Sequence, residues 1–445
     1  MNSAFDLAAI AASLYVTGVH LDGTERMRRI GSGLFGIVMA LALTACGTLE
    51  RPTGPLRIAD GTLIKAQDPR IQSNDSARLQ EFTQEIAGRL RPDHPTTILA
   101  LSGGGANGAY GAGLLTGWSE RGDRPTFDVV TGVSTGALAA PFAFLGSDWD
   151  DELRHAYTSG GANNILSWRS FAAFLNPSVF SSQVLRKLVD DNVTPELLRA
   201  VAREHANGRR LLVATTNLDS EQTVIWDMGL LASQGDENAR ELFKEVLVAS
   251  ASIPGVFPPA LIAGLQDDDK VVLEMHVDGG VNTPFLAIPE DLMLWTRPRD
   301  EGRVGALYVI VNGQTGRNDG VTPGRLSGIL SRTYDSMSKA SLRTHLAITT
   351  AFAQRNGLDM SLSAIPDNVE ASSLKFDQET MSAMFELGRQ RGRGPDAWTR
   401  LDRKQADQPF IPQTRVDEAQ VPAVLAPAPS STASDTPAHT DTPKR

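Results

Sequence analysis

The sequence predicts an α/β fold: a largely parallel sheet covered by helices on both faces. Two observations predict it. Between residues 95 and 365, five short apolar runs alternate with stretches of helical spacing. Strands buried on both faces read as continuous apolar runs rather than as alternating ones. The chain of 445 residues is also long enough to bury one sizeable core, since α/β bodies often pass 250 residues as one domain.

The first feature along the chain is a leader. Arg28 and Arg29 precede the apolar run Leu34 to Leu43, which ends in Leu43-Thr44-Ala45-Cys46-Gly47. A charged head, a short apolar centre and small residues make a secretory signal, because a membrane-spanning helix needs ~20 apolar residues. The tetrapeptide ending at Cys46 resembles the bacterial lipobox, which implies a diacylglyceryl group on that thiol. The competing reading is an ordinary buried Cys after an apolar helix. Cys46 is the chain's sole cysteine, so no intrachain disulfide forms. A charged head is normally short, so translation is expected to start at Met27 and residues 1–26 stand outside the signal. Gly47 stands where the resemblance would need Asp for inner-membrane retention, which implies an outer-membrane destination in a bacterial envelope. Residues 47–94 are polar and Pro-rich, with one expected helix over Ser76 to Leu90, and read as a linker.

The body is expected over 95–365. Thr97–Leu101, Phe127–Thr131, Leu211–Thr215, Val271–Val277 and Ala306–Val311 read as strands. Ala109–Ser119, Thr135–Leu145, Ser182–Asp190, Pro195–Glu204 and Asn238–Ser250 read as helices. Residues 366–420 read as a C-terminal extension. Residues 421–445, built from Pro, Ala, Ser and Thr, cannot bury enough surface to offset chain entropy and read as disordered.

Ligands in such sheets sit beyond the carboxyl ends of the strands, and three motifs fall there. Gly103-Gly104-Gly105-Ala106-Asn107-Gly108 follows the first strand. Such glycines turn the chain sharply and aim consecutive N–H groups at an anion, aided by the following helix N-terminus. The pattern also satisfies G-x-G-x-x-G, but no acidic residue ends a second strand about 20 residues on, as dinucleotide binding requires. An oxyanion hole is therefore expected at Gly103, Gly104, Gly105 and Gly108. Gly132-Val133-Ser134-Thr135-Gly136 is a G-x-S-x-G between a strand and a helix of small residues, the context of a nucleophile elbow. Alone it could be a helix N-cap serine. Asp278-Gly279-Gly280 follows the strand Val271–Val277 and alone would be a turn. Together with the elbow, it offers a carboxylate able to serve Ser134 as base, provided a dry site raises its proton affinity.

At these residues the sequence resembles the patatin-like phospholipase family, whose glycine-rich oxyanion segment, G-x-S-x-G serine and D-G-A/G aspartate occur in this order. Ala249 to Pro259 resembles the family's segment between serine and aspartate, and the resemblance covers residues 96–315. It implies a three-layer α/β/α fold and a Ser134–Asp278 dyad hydrolysing lipid acyl esters, without histidine, metal or other cofactor. Gly132, Gly136, Gly279 and Gly280 support the motifs. Asn107 departs from the family, many of whose members carry Arg or Lys there.

Alternatives stay open on the residues. Ser134, Asp278 and His345 stand in the chain order of an α/β-hydrolase triad, although His345 reads as helix interior. His276 lies two residues before Asp278 on a strand, so the two share a face. His94, His155 and His205 lack metal-ligand spacing. The apolar runs Phe171–Leu175 and Val256–Ile262 would form either core or a lipid-contact rim. A non-catalytic outer-membrane lipoprotein is the remaining reading. The expected partners are a lipid substrate and a membrane surface. A net charge of -10 argues against nucleic acid.

Overall fold

A computed structural model describes residues 68–72, 76–89, 95–161, 182–265, 271–289, 292–294, 296, 305–317, 321–401 and 414–427. Cys46, the signal-like run, His94 and Phe171–Leu175 lie outside them. In chain order the strands are β1 (Arg70–Ile71), β2 (Thr96–Leu101), β3 (Val129–Val133), β4 (Arg210–Asn217), β5 (Gln222–Asp227), β6 (Ala260–Leu265), β7 (Val271–Asp278), β8 (Gly305–Val311), β9 (Leu358–Ala364) and β10 (Thr399–Arg400). The helices are α1 (Ser76–Arg89), α2 (Gly108–Arg121), α3 (Thr135–Leu145), α4 (Asp150–Thr158), α5 (Ser182–Asn192), α6 (Pro195–Ala206), α7 (Met228–Gln234), α8 (Glu237–Ser250), α9 (Leu326–Asn356) and α10 (Gln378–Arg393).

The sheet runs β1-β5-β4-β3-β2-β8-β9-β10, with the hairpin β6–β7 attached to β4. Its centre, β4 through β9, is parallel. Alternate residues enter opposite cores: Leu99, Leu101, Val130 and Val213 face the side covered by α2, α3, α8 and α10, whereas Ile98, Ala100, Val129 and Leu212 face α9. That is the three-layer α/β/α arrangement, and burial on both faces is why these strands lack polar alternation.

Several elements differ from the sequence expectation. The second strand begins at Val129 rather than Phe127, because Asp128 is engaged at the sheet's rim, where its carboxylate accepts from Thr97 N at 2.7 Å. β5 follows β4 as an antiparallel hairpin, and β9, with the alternating sequence Leu-Asp-Met-Ser-Leu-Ser-Ala, lies beyond the predicted set. The Val256–Ile262 run is core and hairpin: Phe257, Ala260 and Ile262 are buried. Helix α10 comes from the stretch read as an extension, yet packs on α2 at backbone contact. A Cβ on Gly113 would stand 1.9 Å from the Phe385 carbonyl and one on Gly388 2.1 Å from that of Tyr110. The start of the tail read as disordered is also placed: Leu425 is fully buried and its carbonyl accepts from Glu370 N at 2.8 Å. One buried Leu offers what the Pro/Ala composition around it lacks. No helix among the described residues is long and apolar enough to cross a membrane.

Candidate active site

β3 climbs one edge of β4 as far as the pair Val133–Ala214, and β7 descends the same edge antiparallel, its last residue Asp278 pairing with Thr215. The two strands therefore meet end to end at consecutive rungs of β4. Ser134 leaves β3 and Asp278 ends β7 at that junction, and Ser134 Oγ donates to Asp278 Oδ2 at 2.5 Å.

Ser134 sits at φ 57°, ψ −127°, one of two non-glycine residues with positive φ among the described residues. That strain is held from outside the turn. Its N–H donates to Ser250 Oγ at 3.0 Å, and Ser250 Oγ–H donates to the Ala214 carbonyl at 2.7 Å. Close approach does the rest: a Cβ on Gly132 would stand 2.5 Å from Gly136 O, and one on Gly136 2.5 Å from Leu101 O. Behind the elbow, buried Tyr157 donates to the Thr135 carbonyl at 2.7 Å, and burial pushes its phenol well above the ordinary range.

Asp278 is buried. Desolvation raises its carboxyl from 3.8 to about 6, against the opposing hydrogen bonds from Ser134 and from Gly280 N at 2.7 Å. Its own N–H donates to the Ser252 carbonyl at 3.0 Å. Ser250 and Ser252 thus tie both halves of the pair to one segment. Sequence reasoning singled out that segment without assigning these roles, and the signal that could have found them was its two serines after an apolar helix. Gly279 presses on the Ala214 carbonyl, where a Cβ would stand at 2.4 Å.

The four glycines proposed as anion donors divide. Gly103 N–H is spent on the Pro284 carbonyl at 3.1 Å, and its Cα faces Ser134, where a Cβ would stand 3.1 Å from the serine Cβ. Gly108 N–H donates to the Gly105 and Ala106 carbonyls, and its missing side chain makes room for Thr135 Oγ1. Gly104 and Gly105 keep N–H groups with no acceptor among the described residues. Gly105 holds φ 56°, which favours glycine. The expectation that Gly103 and Gly108 donate to an oxyanion is corrected accordingly: both donors are consumed in shaping the turn. Asn312, missed from sequence, anchors it. Its side chain accepts from Gly111 N at 3.0 Å and donates to Ser102 O at 2.9 Å. From the other side, the Ser373 carbonyl accepts from Ala106 N at 2.9 Å. Asn107 is buried in the turn.

The histidines are elsewhere. His276 is buried, with Nε2 3.2 Å from Glu274 and Nδ1 2.9 Å from Thr215 Oγ1. His345 turns Nδ1 to the Ser341 carbonyl at 3.0 Å and its ring edge to Phe285. His155 is exposed on α4, and His205 lies 3.6 Å from Asp227.

From Ser134 an apolar cavity runs between α3, α5 and α8, walled by Leu138, Phe142, Leu185, Leu247, Phe257 and Phe376. It holds about 800 Å³ of unoccupied space, its open part included. A hydroxyl held against a carboxylate, a base raised by dryness, two N–H groups with no acceptor among the described residues beside two helix N-termini and an oily cavity suit nucleophilic attack on an acyl group carrying a long apolar chain.

Residues 99–288 match the family model described as patatin-like phospholipase. The matched span contains both motif residues Ser134 and Asp278 and the glycine turn, and the mostly parallel sheet between helices is the patatin fold. No curated protein matches the chain. Among solved structures the chain is similar to VipD from Legionella pneumophila, at 12% identity and a TM-score of 0.33 over 67% of this chain and 66% of that one. The chain thus spans just under two thirds of that protein's length.

Proposed function

We propose, from the premise that residues 99–288 are a patatin-like phospholipase domain, that the protein hydrolyses carboxylic esters of phospholipids or related lipids through Ser134 and Asp278. The observation that carries the reading is the direct 2.5 Å contact between hydroxyl and carboxylate at the mouth of an apolar cavity. Asp278 accepts the Ser134 proton as Oγ attacks the ester carbonyl. The Gly104 and Gly105 N–H groups receive the oxyanion, where a donor lost from such a hole typically costs about 10²–10³ in rate. Protonated Asp278 passes its proton to the departing alcohol. The same carboxylate then deprotonates the water that releases the fatty acid, whose chain occupies the cavity.

The α/β-hydrolase triad has no comparable support, since His345 is engaged within α9. A fluorophosphonate should label Ser134 alone, as mapped by mass spectrometry. Label on another serine overturns the assignment. Turnover on a panel of phospholipids, lysophospholipids and neutral esters then names the substrate. The same proposal includes a diacylglyceryl anchor on Cys46 holding the body at an outer-membrane surface, two buried chains being enough for stable attachment. An unmodified Cys46 still joined to Ala45 in the mature protein excludes it.

A further inference from the structure

Helix α9 is two helices in behaviour. Its C-terminal half is committed to the core through Leu342, Leu346 and Phe352. Its N-terminal half exposes Leu326 (71%), Ile329 (47%), Tyr334 (56%) and Met337 (67%), and Val321 just before it is 99% exposed. At about 100° per residue, the four helical positions fall within an arc of about 140°. Arg332, Lys339 and Arg343 fall together on one flank, about 40–80° beyond the Ile329 edge of that arc. From Arg325 to Arg343 there are four cationic side chains and one anionic, Asp335, in a chain whose net charge is -10. The cations crowd one another: burial first, then Arg332 and Arg343, hold the Lys339 ammonium below its ordinary value, against Asp335 and Asp367.

This half-helix lies within electrostatic reach of the candidate site. Partial burial and the nearby Asp278 carboxylate push the Tyr334 phenol up. Asp367, whose charge reaches Lys339, belongs to the strap that delivers the Ser373 carbonyl to the glycine turn. On the core-committed half of the same helix, His345 meets Phe285, seven residues after Asp278, edge-on with centroids 6.4 Å apart.

We propose that the N-terminal half of α9 is an interfacial element that lies on an anionic lipid surface, sinking Leu326, Ile329, Tyr334 and Met337 into it while Arg325, Arg332 and Lys339 meet the headgroups. An apolar stripe with a cationic flank is what such a surface attracts, by burial and by charge together. A second copy of the helix fits less well, because it would set cations against cations. The inference rests on the lipid-hydrolase reading for its purpose, since it would hold the catalytic body at its substrate surface.

Cys46 is the chain's sole cysteine, so the full chain carrying Cys46→Ser and Met337→Cys accepts a polarity-sensitive thiol dye at one place. Vesicles of ether-linked lipids resist ester hydrolysis and keep this test independent of catalysis. The dye emission should shift to the blue with phosphatidylglycerol-containing vesicles, not with phosphatidylcholine alone, and high salt should reverse the shift. Ile329→Glu should weaken vesicle binding roughly tenfold or more, from the loss of one buried large aliphatic side chain, while turnover of a dispersed short-chain ester stays unchanged. Three results overturn the proposal: no shift with anionic vesicles, an equal shift with phosphatidylcholine, or a shift that needs only higher protein concentration and so identifies a second copy. If the shift appears and the short-chain ester is not hydrolysed, the surface stands and the proposed function falls.

Discussion

Replacing Asp278 by Asn should stabilise the fold while removing activity. The carboxyl rises from 3.8 to about 6 on burial, a difference of about 2 units, or about 3 kcal/mol at 1.36 kcal/mol per unit. The folded chain holds this proton more tightly than the unfolded one does. The group's contribution to stability is therefore full below about pH 4 and is lost as pH rises through about 6. Asn stays neutral throughout and keeps an oxygen for the Gly280 N–H. Its stability relative to the parent chain should improve by about 2 kcal/mol between pH 4 and pH 8. Urea denaturation of both proteins at the two values, followed by tryptophan fluorescence, measures it. A gap that does not change with pH, or that moves against the variant at pH 8, refutes the claim that Asp278 is a desolvated carboxylate. Turnover should fall as far as it does in Ser134→Ala, with little further loss in the double variant, because members of one catalytic unit are non-additive.

On a soluble ester, kcat/KM should fall about tenfold per pH unit below about 6, where Asp278 loses its ionised form; a limb near pH 4 contradicts the raised value. His345→Ala should leave turnover close to unchanged, because its ring contacts Ser341 and Phe285, and a loss as deep as that of Asp278→Asn would restore the triad. Gly104→Ala should cost about 3 kcal/mol or more and abolish turnover, since its Cβ would lie 2.1 Å from the Asn312 carbonyl. Gly122→Ala, at φ 90° with nothing near, should cost about 1–2 kcal/mol and leave turnover intact. Leu425→Ala should cost about 2–5 kcal/mol and lower kcat more than it alters KM. The segment around Leu425 holds the strap whose Ser373 carbonyl caps the glycine turn, and removal of residues 428–445 should change neither.

Much of the site was legible because its chemistry is local. A serine between two glycines after an apolar strand needs no distant partner to form a strained turn, and Thr135–Leu145 is helical over the residues its composition marks. The strands predicted at 97–101 and 306–311 differ from β2 and β8 by one residue at their starts, since continuous apolar runs leave no other burial available. What escaped depends on partners. β5 and β9 are half-polar and become strands because β4 and β8 offer them an edge. α10 is held by backbone contact with α2, which no pattern within its own sixteen residues announces.

By itself, the sequence determined which atoms carry the chemistry: a hydroxyl on a turn that glycines permit, a carboxylate at a strand end, and consecutive N–H groups in a glycine run. Tertiary structure alone decided what those atoms can do. Ser134 and Asp278 stand 144 residues apart, and only the end-to-end arrival of β3 and β7 on one edge of β4 brings them to 2.5 Å. The rise of Asp278 to about 6 comes from the core closing around it. The division of four similar glycines into two spent donors and two with no acceptor among the described residues follows from where the Pro284, Gly105 and Ala106 carbonyls come to rest. Dihedral preference is a property of neighbours in sequence, whereas desolvation and hydrogen-bond occupancy are properties of neighbours in space.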